Sequence, residues 1–148
     1  SSDLNDYLTG FDTYIYDNRR SWDPAEPANW SLAVSLSPFV NQAHHEVTNI
    51  EFSFTQDMQK IEIDPETGEE YYLFSDLPNR PQYRDNVRMY SNGQSVNIAA
   101  TPRNKYSDRM SWRFGIDPQN FKFFIPAATM QPDTDYSATL NWTLNDTP

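Results

Sequence analysis

The chain has 148 residues, a length that suits one domain, residues 1–148, able to bury a core without staples. Its net charge of −10, from 21 acidic and 11 basic residues, excludes nucleic acid as a partner, because phosphate backbones require clustered Lys and Arg. It has no cysteine, hence no disulfide and no thiol site, and no apolar run approaches the roughly 18 residues of a membrane span. The start at Ser1-Ser2-Asp3 reads as a mature or trimmed end, with no signal peptide. An aromatic share of 15% disfavours disorder and favours a sheet protein.

Apolar residues recur with period two along the chain, the signature of half-buried strands. "YIY", Tyr14 to Tyr16, begins the pattern. In "NWSLAVSL" the residues Trp30, Leu32, Val34 and Leu36 share one face. "PFVNQAHHEV" is the best helical candidate, one short turn-like segment. "IEFSFT" sets Ile50, Phe52 and Phe54 against Glu51, Ser53 and Thr55, and "KIEI" follows as a separate short strand. "DPETGEE" then predicts a hairpin turn into "YYLF". Asn92-Gly93 predicts a second hairpin, joining "NVRMY" to "SVNIA". "MSWRFGI" alternates Trp112, Phe114 and Ile116 with polar residues, and "FKFFI" places Phe121, Phe123 and Ile125 on one face before Pro126 stops it. The last thirteen residues, "YSATLNWTLNDTP", alternate most cleanly, with Tyr136, Ala138, Leu140, Trp142 and Leu144 on one face expected to be buried. About nine or ten strands with frequent turn signals and little helix predict an all-β antiparallel sandwich of the Ig-like, Greek-key type.

Chemistry is sparse. There is no Gly-x-Ser-x-Gly, and nothing singles out a carboxylate pair among the 21 acids, so no enzyme is expected. His44 and His45 are adjacent and would point to opposite faces of a strand, which makes no ligand set. "DPETGEE" lacks the ligand series of an EF-hand, so neither a metal site nor a cofactor is assigned. The aromatic residues are the candidates that remain. Trp30 and Trp142 sit in register with apolar neighbours and read as core. Trp22 lies in the Pro-rich "SWDPAEPAN" with no buried face, and Trp112 reads either way. Tyr71 and Tyr72 lie near loops. Exposed rings beside amides and carboxylates suit a sugar surface, and they equally suit a protein interface.

Two "Trp-x-Leu" sites, Trp30 to Leu32 and Trp142 to Leu144, stand near opposite ends of the chain. The terminal segment closely resembles the signature of WxL domains: Tyr136, aliphatic Leu140, Trp142, Leu144 and Pro148 each fall in place, with Asn141 where Thr is usual. The turn at Asp17, Asn18 and Arg19, followed by Trp30 and Leu32, is similar to the family's proximal half. The resemblance covers roughly residues 11 to 148 and loosens in the middle, where the acidic "DPETGEEYY" departs from it. It implies a secreted protein of the Gram-positive cell surface, anchored non-covalently to the cell wall with peptidoglycan as ligand. It also implies partner surface proteins of the WxL-interacting family, and assemblies that adhere to host extracellular matrix. The motif residues are expected to be structural, and Asp17, Asn18, Trp22, Trp112, Tyr71 and Tyr72 are the candidates for contact with ligand or partner.

Overall fold

The computed structural model describes residues 12–16, 29–76, 80–101 and 111–147. Among them every strand pairing is antiparallel, and the one helical element is a 3-10 turn at Pro118–Asn120. The all-β expectation is met, and the strands form two main sheets.

The larger sheet is built on β5 (Glu51–Ile63), thirteen residues long. "IEFSFT" and "KIEI" are therefore one strand, not two. Its length allows pairing on both edges at each end. Glu51–Ser53 lies between β8 (Asn86–Tyr90) and β11 (Lys122–Phe124). Lys60 and Ile61 lie between β6 (Glu70–Leu73) and β10 (Ser111–Ile116). β1 (Thr13–Ile15) flanks β10. The smaller sheet has the order β12 (Leu140–Thr147), β2 (Asn29–Leu36), β9 (Val96–Ala100), β7 (Gln82–Tyr83).

The core fills the space between these sheets. Trp30 meets Phe114 edge-on at 6.3 Å between ring centroids, and Phe54 meets Trp142 at 6.4 Å. Val34, Phe52, Val87, Ile98 and Phe114 are fully buried with them. Each such side chain contributes about 1.5–3 kcal/mol by leaving water. One polar strut crosses this layer: Gln56 Nε2 donates to the carbonyl of Arg84 at 2.7 Å. That bond satisfies the amide nitrogen of a side chain only 5% exposed, while its Oε1 is buried with no hydrogen-bond partner among the described residues.

Several local expectations are corrected. "PFVNQAHHEV" forms a hairpin of β3 (Phe39–Val40) and β4 (Glu46–Val47) rather than a helical turn. The buried Asn41 closes it, its Oδ1 accepting from the His45 amide at 2.9 Å and its carbonyl from the His44 amide at 3.0 Å. A side chain that satisfies the turn's backbone donors competes with helix, as Asn often does. Asn92-Gly93 is a turn, but its flanking strands do not pair. β8 belongs to the larger sheet and β9 to the smaller, so the turn carries the chain between layers. Gly93, at φ 79°, donates its amide to the Leu36 carbonyl at 2.8 Å. The "DPETGEE" hairpin forms as expected, with Asp64 Oδ1 accepting from the Glu66 amide at 2.8 Å and Gly68 at φ 74°. β7 had no period-two signal long enough to announce it.

The terminal strand also departs from expectation. Trp142 is half-buried and Leu144 is 53% exposed, on a strand that among the described residues is the outermost of its sheet and pairs with β2 alone.

Candidate ligand-binding face

Even-numbered β5 residues from Phe52 to Met58 turn into the core, so the odd-numbered ones face outward. Register extends this face across the sheet. Tyr14, Arg113 and Gln59 form one row, and Ser111, Ile61 and Tyr72 form the next. Tyr14 and Tyr16 are two residues apart and so share the face, their rings parallel within 8° at 6.3 Å. Tyr72 lies 6.3 Å from Tyr14 at a tilt.

Arg113 orders this cluster. Its guanidinium stands 4.8 Å from the Tyr72 ring centroid, a cation–π contact. Nη1 donates to Gln59 Oε1 at 2.5 Å, and Nη2 to Asp12 Oδ2 at 2.6 Å. Asp12 is in turn held by the Ile116 amide, which donates to its Oδ1 at 2.9 Å. Burial pulls the arginine's pKa down, but hydrogen bonds to Tyr14 and Asp12 outweigh it and the net shift is upward. Tyr16 donates to Glu70 Oε1 at 2.9 Å and Tyr72 to Glu70 Oε2 at 3.2 Å. The bond to Glu70 raises the Tyr16 pKa. Burial foremost, then bonding to Tyr14 and Glu70, pushes Tyr72 up to about 12.

Beside the tyrosines lies a cleft of about 470 Å³, lined by Asp12, Asp57, Arg113, Asp117 and Asn120 over Gly115. Gly115 makes the floor. A Cβ there would collide with the Asp57 carboxylate directly opposite. The 3-10 turn forms one wall: Asp117 caps it by accepting from the Gln119 amide at 3.0 Å, and Asn120 Nδ2 donates to Thr55 Oγ1 at 3.1 Å. Aromatic faces next to carboxylates and amides can stack on a sugar's apolar side while binding its hydroxyls. Among the described residues no group of three or more His, Cys, Asp or Glu is placed to hold a metal ion.

A family model described as "WxL domain surface cell wall-binding" matches residues 4–148. This chain belongs to the WxL domain family. No curated protein and no solved structure matches the chain. Membership makes this WxL domain a cell-surface, wall-binding module of a binding family rather than a catalytic one. Among the described residues no helix is long and apolar enough to cross a membrane.

The WxL motifs themselves divide between core and rim. Trp30 and Leu32 are buried, at 5% and 2% exposure. Tyr136 is a tie: its hydroxyl accepts from the Gln131 amide at 2.8 Å, and its ring meets His45 edge-on, joining the pre-terminal loop to the β3–β4 hairpin. Leu140 packs against the core beside Trp142. Asp17, Asn18, Trp22 and Pro148 lie outside the described residues.

Of the remaining contact candidates, Tyr72 joins the cluster and Tyr71 does not. Adjacent on β6, they take opposite faces, and Tyr71 is exposed away from the cleft. Trp112 is corrected. It is 2% exposed and inside the sandwich, so it presents no ring to a ligand. Its neighbour Arg113 faces outward instead. Asp12, Tyr14, Tyr16, Asp57, Arg113 and Gly115 were all missed by sequence reasoning. The available signal was the odd phase of "WRFG" and the two-residue spacing of "YIY".

Proposed function

We propose that this WxL domain, a single unit spanning residues 1–148, anchors its secreted protein non-covalently to a Gram-positive wall by gripping peptidoglycan on the tyrosine-lined outer face. The observation that carries this reading is the parallel Tyr14–Tyr16 pair, held beside a polar cleft by the Asp12–Arg113–Tyr72 contacts. Protein contacts hold these rings, Tyr16 and Tyr72 through Glu70 and Tyr72 through Arg113, and side chains held in this way lose less freedom on binding. The test is co-sedimentation with sacculi stripped of teichoic acid. The wild type is expected to pellet saturably at moderate salt. Tyr14→Ala/Tyr72→Ala is expected to stay in the supernatant while melting cooperatively. If that double variant pellets like the wild type, the tyrosine face is not the wall site.

A second reading is supported by β12, which among the described residues pairs with β2 alone and exposes Leu144. Such an edge can take a strand from a WxL-interacting surface protein or a host extracellular-matrix protein. Failure of the wild type to pellet with any sacculus, combined with binding to such a protein, would favour it.

A further inference from the structure

A second cleft of about 540 Å³ opens further along the outer face, lined by Ser53, Thr55, Asn86, Arg88, Asn120 and Lys122. Register sets Lys122 and Arg88 on either side of Ser53. Adjacent strands are about 4.8 Å apart, so the two cations stand roughly 10 Å apart across the cleft at their backbones. Thr55 and Asn120 line both clefts and are hydrogen-bonded to each other, so the two are halves of one groove. Six residues of β5, or about 20 Å, separate the row of Gln59 from the row of Ser53.

The charge of this half is unusual for a chain of net charge −10. At the tyrosine end of the face Arg113 is neutralised by Asp12. Here Glu51 meets Arg88 at Nε, 3.0 Å away, yet the arginine side chain remains 73% exposed, with donors toward solvent. Lys122 is exposed and has no carboxylate within ion-pair distance among the described residues. The amide of Asn86 and the hydroxyl of Ser53 add neutral hydrogen-bonding groups between them. An acidic domain gains nothing at long range from an anionic polymer, so attraction must come from cations placed locally.

We propose that the Lys122–Ser53–Arg88 cleft is an anion subsite, taking carboxylate or phosphate groups of a wall polymer whose sugars lie on the tyrosines. The proposal rests on the tyrosine-face reading for the polymer's identity, but its chemistry is separable from it. Binding of the full chain is measured with three soluble probes: an uncharged N-acetylglucosamine oligosaccharide, a muropeptide with free stem carboxylates, and a glycerol-phosphate oligomer. At least one acidic probe is expected to bind, more weakly as salt rises. Arg88→Gln/Lys122→Gln, two exposed changes that spare the core, should weaken that probe by about tenfold or more, the scale of one charge-assisted hydrogen bond. The same variant should bind the uncharged probe like the wild type. Whichever acidic probe responds distinguishes stem carboxylate from phosphate. The subsite is overturned if neither acidic probe binds the wild type, or if the double variant binds them undiminished. Loss of the uncharged probe alone in the wild type counts against the tyrosine reading, while the acidic-probe result still decides the subsite.

Discussion

Leu32 and Leu144, the leucines of the two Trp-x-Leu motifs, are direct partners across the β2–β12 ladder. The tryptophans are not: Trp142 pairs with Val34, and Trp30 with Asp146. The motifs therefore meet through their leucines, and the pair is lopsided. Leu32 is 2% exposed and Leu144 is 53% exposed. The two motifs share a ladder and a face but not an environment.

That asymmetry predicts unequal costs. Leu32→Ala should destabilise by about 2–5 kcal/mol and Trp30→Ala by about 3–5 kcal/mol, the range for core truncations. Leu144→Ala should stay near about 0.5 kcal/mol, as surface changes do. Trp142→Ala should fall between, since its ring packs on Phe54 from a half-buried site. Urea unfolding midpoints of the four variants check the order. Equal losses at Leu32 and Leu144 would contradict it.

Ser91 is completely buried, its hydroxyl donating to the Val47 carbonyl at 2.8 Å and accepting from the Ile50 amide at 3.1 Å. Ser91→Ala strands both backbone groups away from water and should cost about 1–3 kcal/mol. Thermal unfolding measures it, and an unchanged midpoint would show that water replaces the hydroxyl.

Gly115→Ala tests the cleft without testing the fold. The position has no left-handed φ, so the backbone tolerates Ala, but the new methyl displaces the Asp57 carboxylate. Affinity for sacculi should drop about tenfold, equivalent to 1.4 kcal/mol, with little change in melting. Undiminished binding would place the ligand elsewhere.

Alkaline titration probes the tyrosine cluster. Tyr16 and Tyr72 both have folded pKa values above the ordinary 10, Tyr72 at about 12. The folded chain thus holds these protons more tightly than the unfolded one. Their contribution to stability is complete below pH 10 and is lost as pH rises through each raised pKa, which for Tyr72 is about 12. Phenolate absorbance should show a late-titrating group that Tyr72→Phe removes. Glu70→Gln should bring Tyr16 back toward its ordinary value. Titration of every tyrosine as one early group would refute the cluster.

Much of the fold was legible because burial imposes period two on a strand. "NWSLAVSL" and "MSWRFGI" could be read by face, and their even residues do enter the core. Pairing was harder to read. Asn92-Gly93 specifies a turn, not a partner, and long-range packing sent its two strands to different sheets. The site was less legible still. Trp112 drew attention because tryptophan is large, yet the useful residue was the arginine beside it, facing the other way. Nothing in the order of residues says that Asp12, Gln59 and Tyr72 converge on Arg113, since those contacts span up to 101 positions.

From the sequence alone come the strand character, the Asp64 and Gly93 turns, the buried faces of Trp30 and Leu32, and the family signature. These rest on local propensity and alternation, which neighbouring residues determine. Only the tertiary structure decides that Leu32 faces Leu144, that β12 pairs with β2 alone among the described residues, and that the outer face of β5 gathers tyrosines at one end and cations at the other. Those outcomes depend on register between strands far apart in sequence. Register is selected by packing of the whole core, so a pattern of single residues does not contain it.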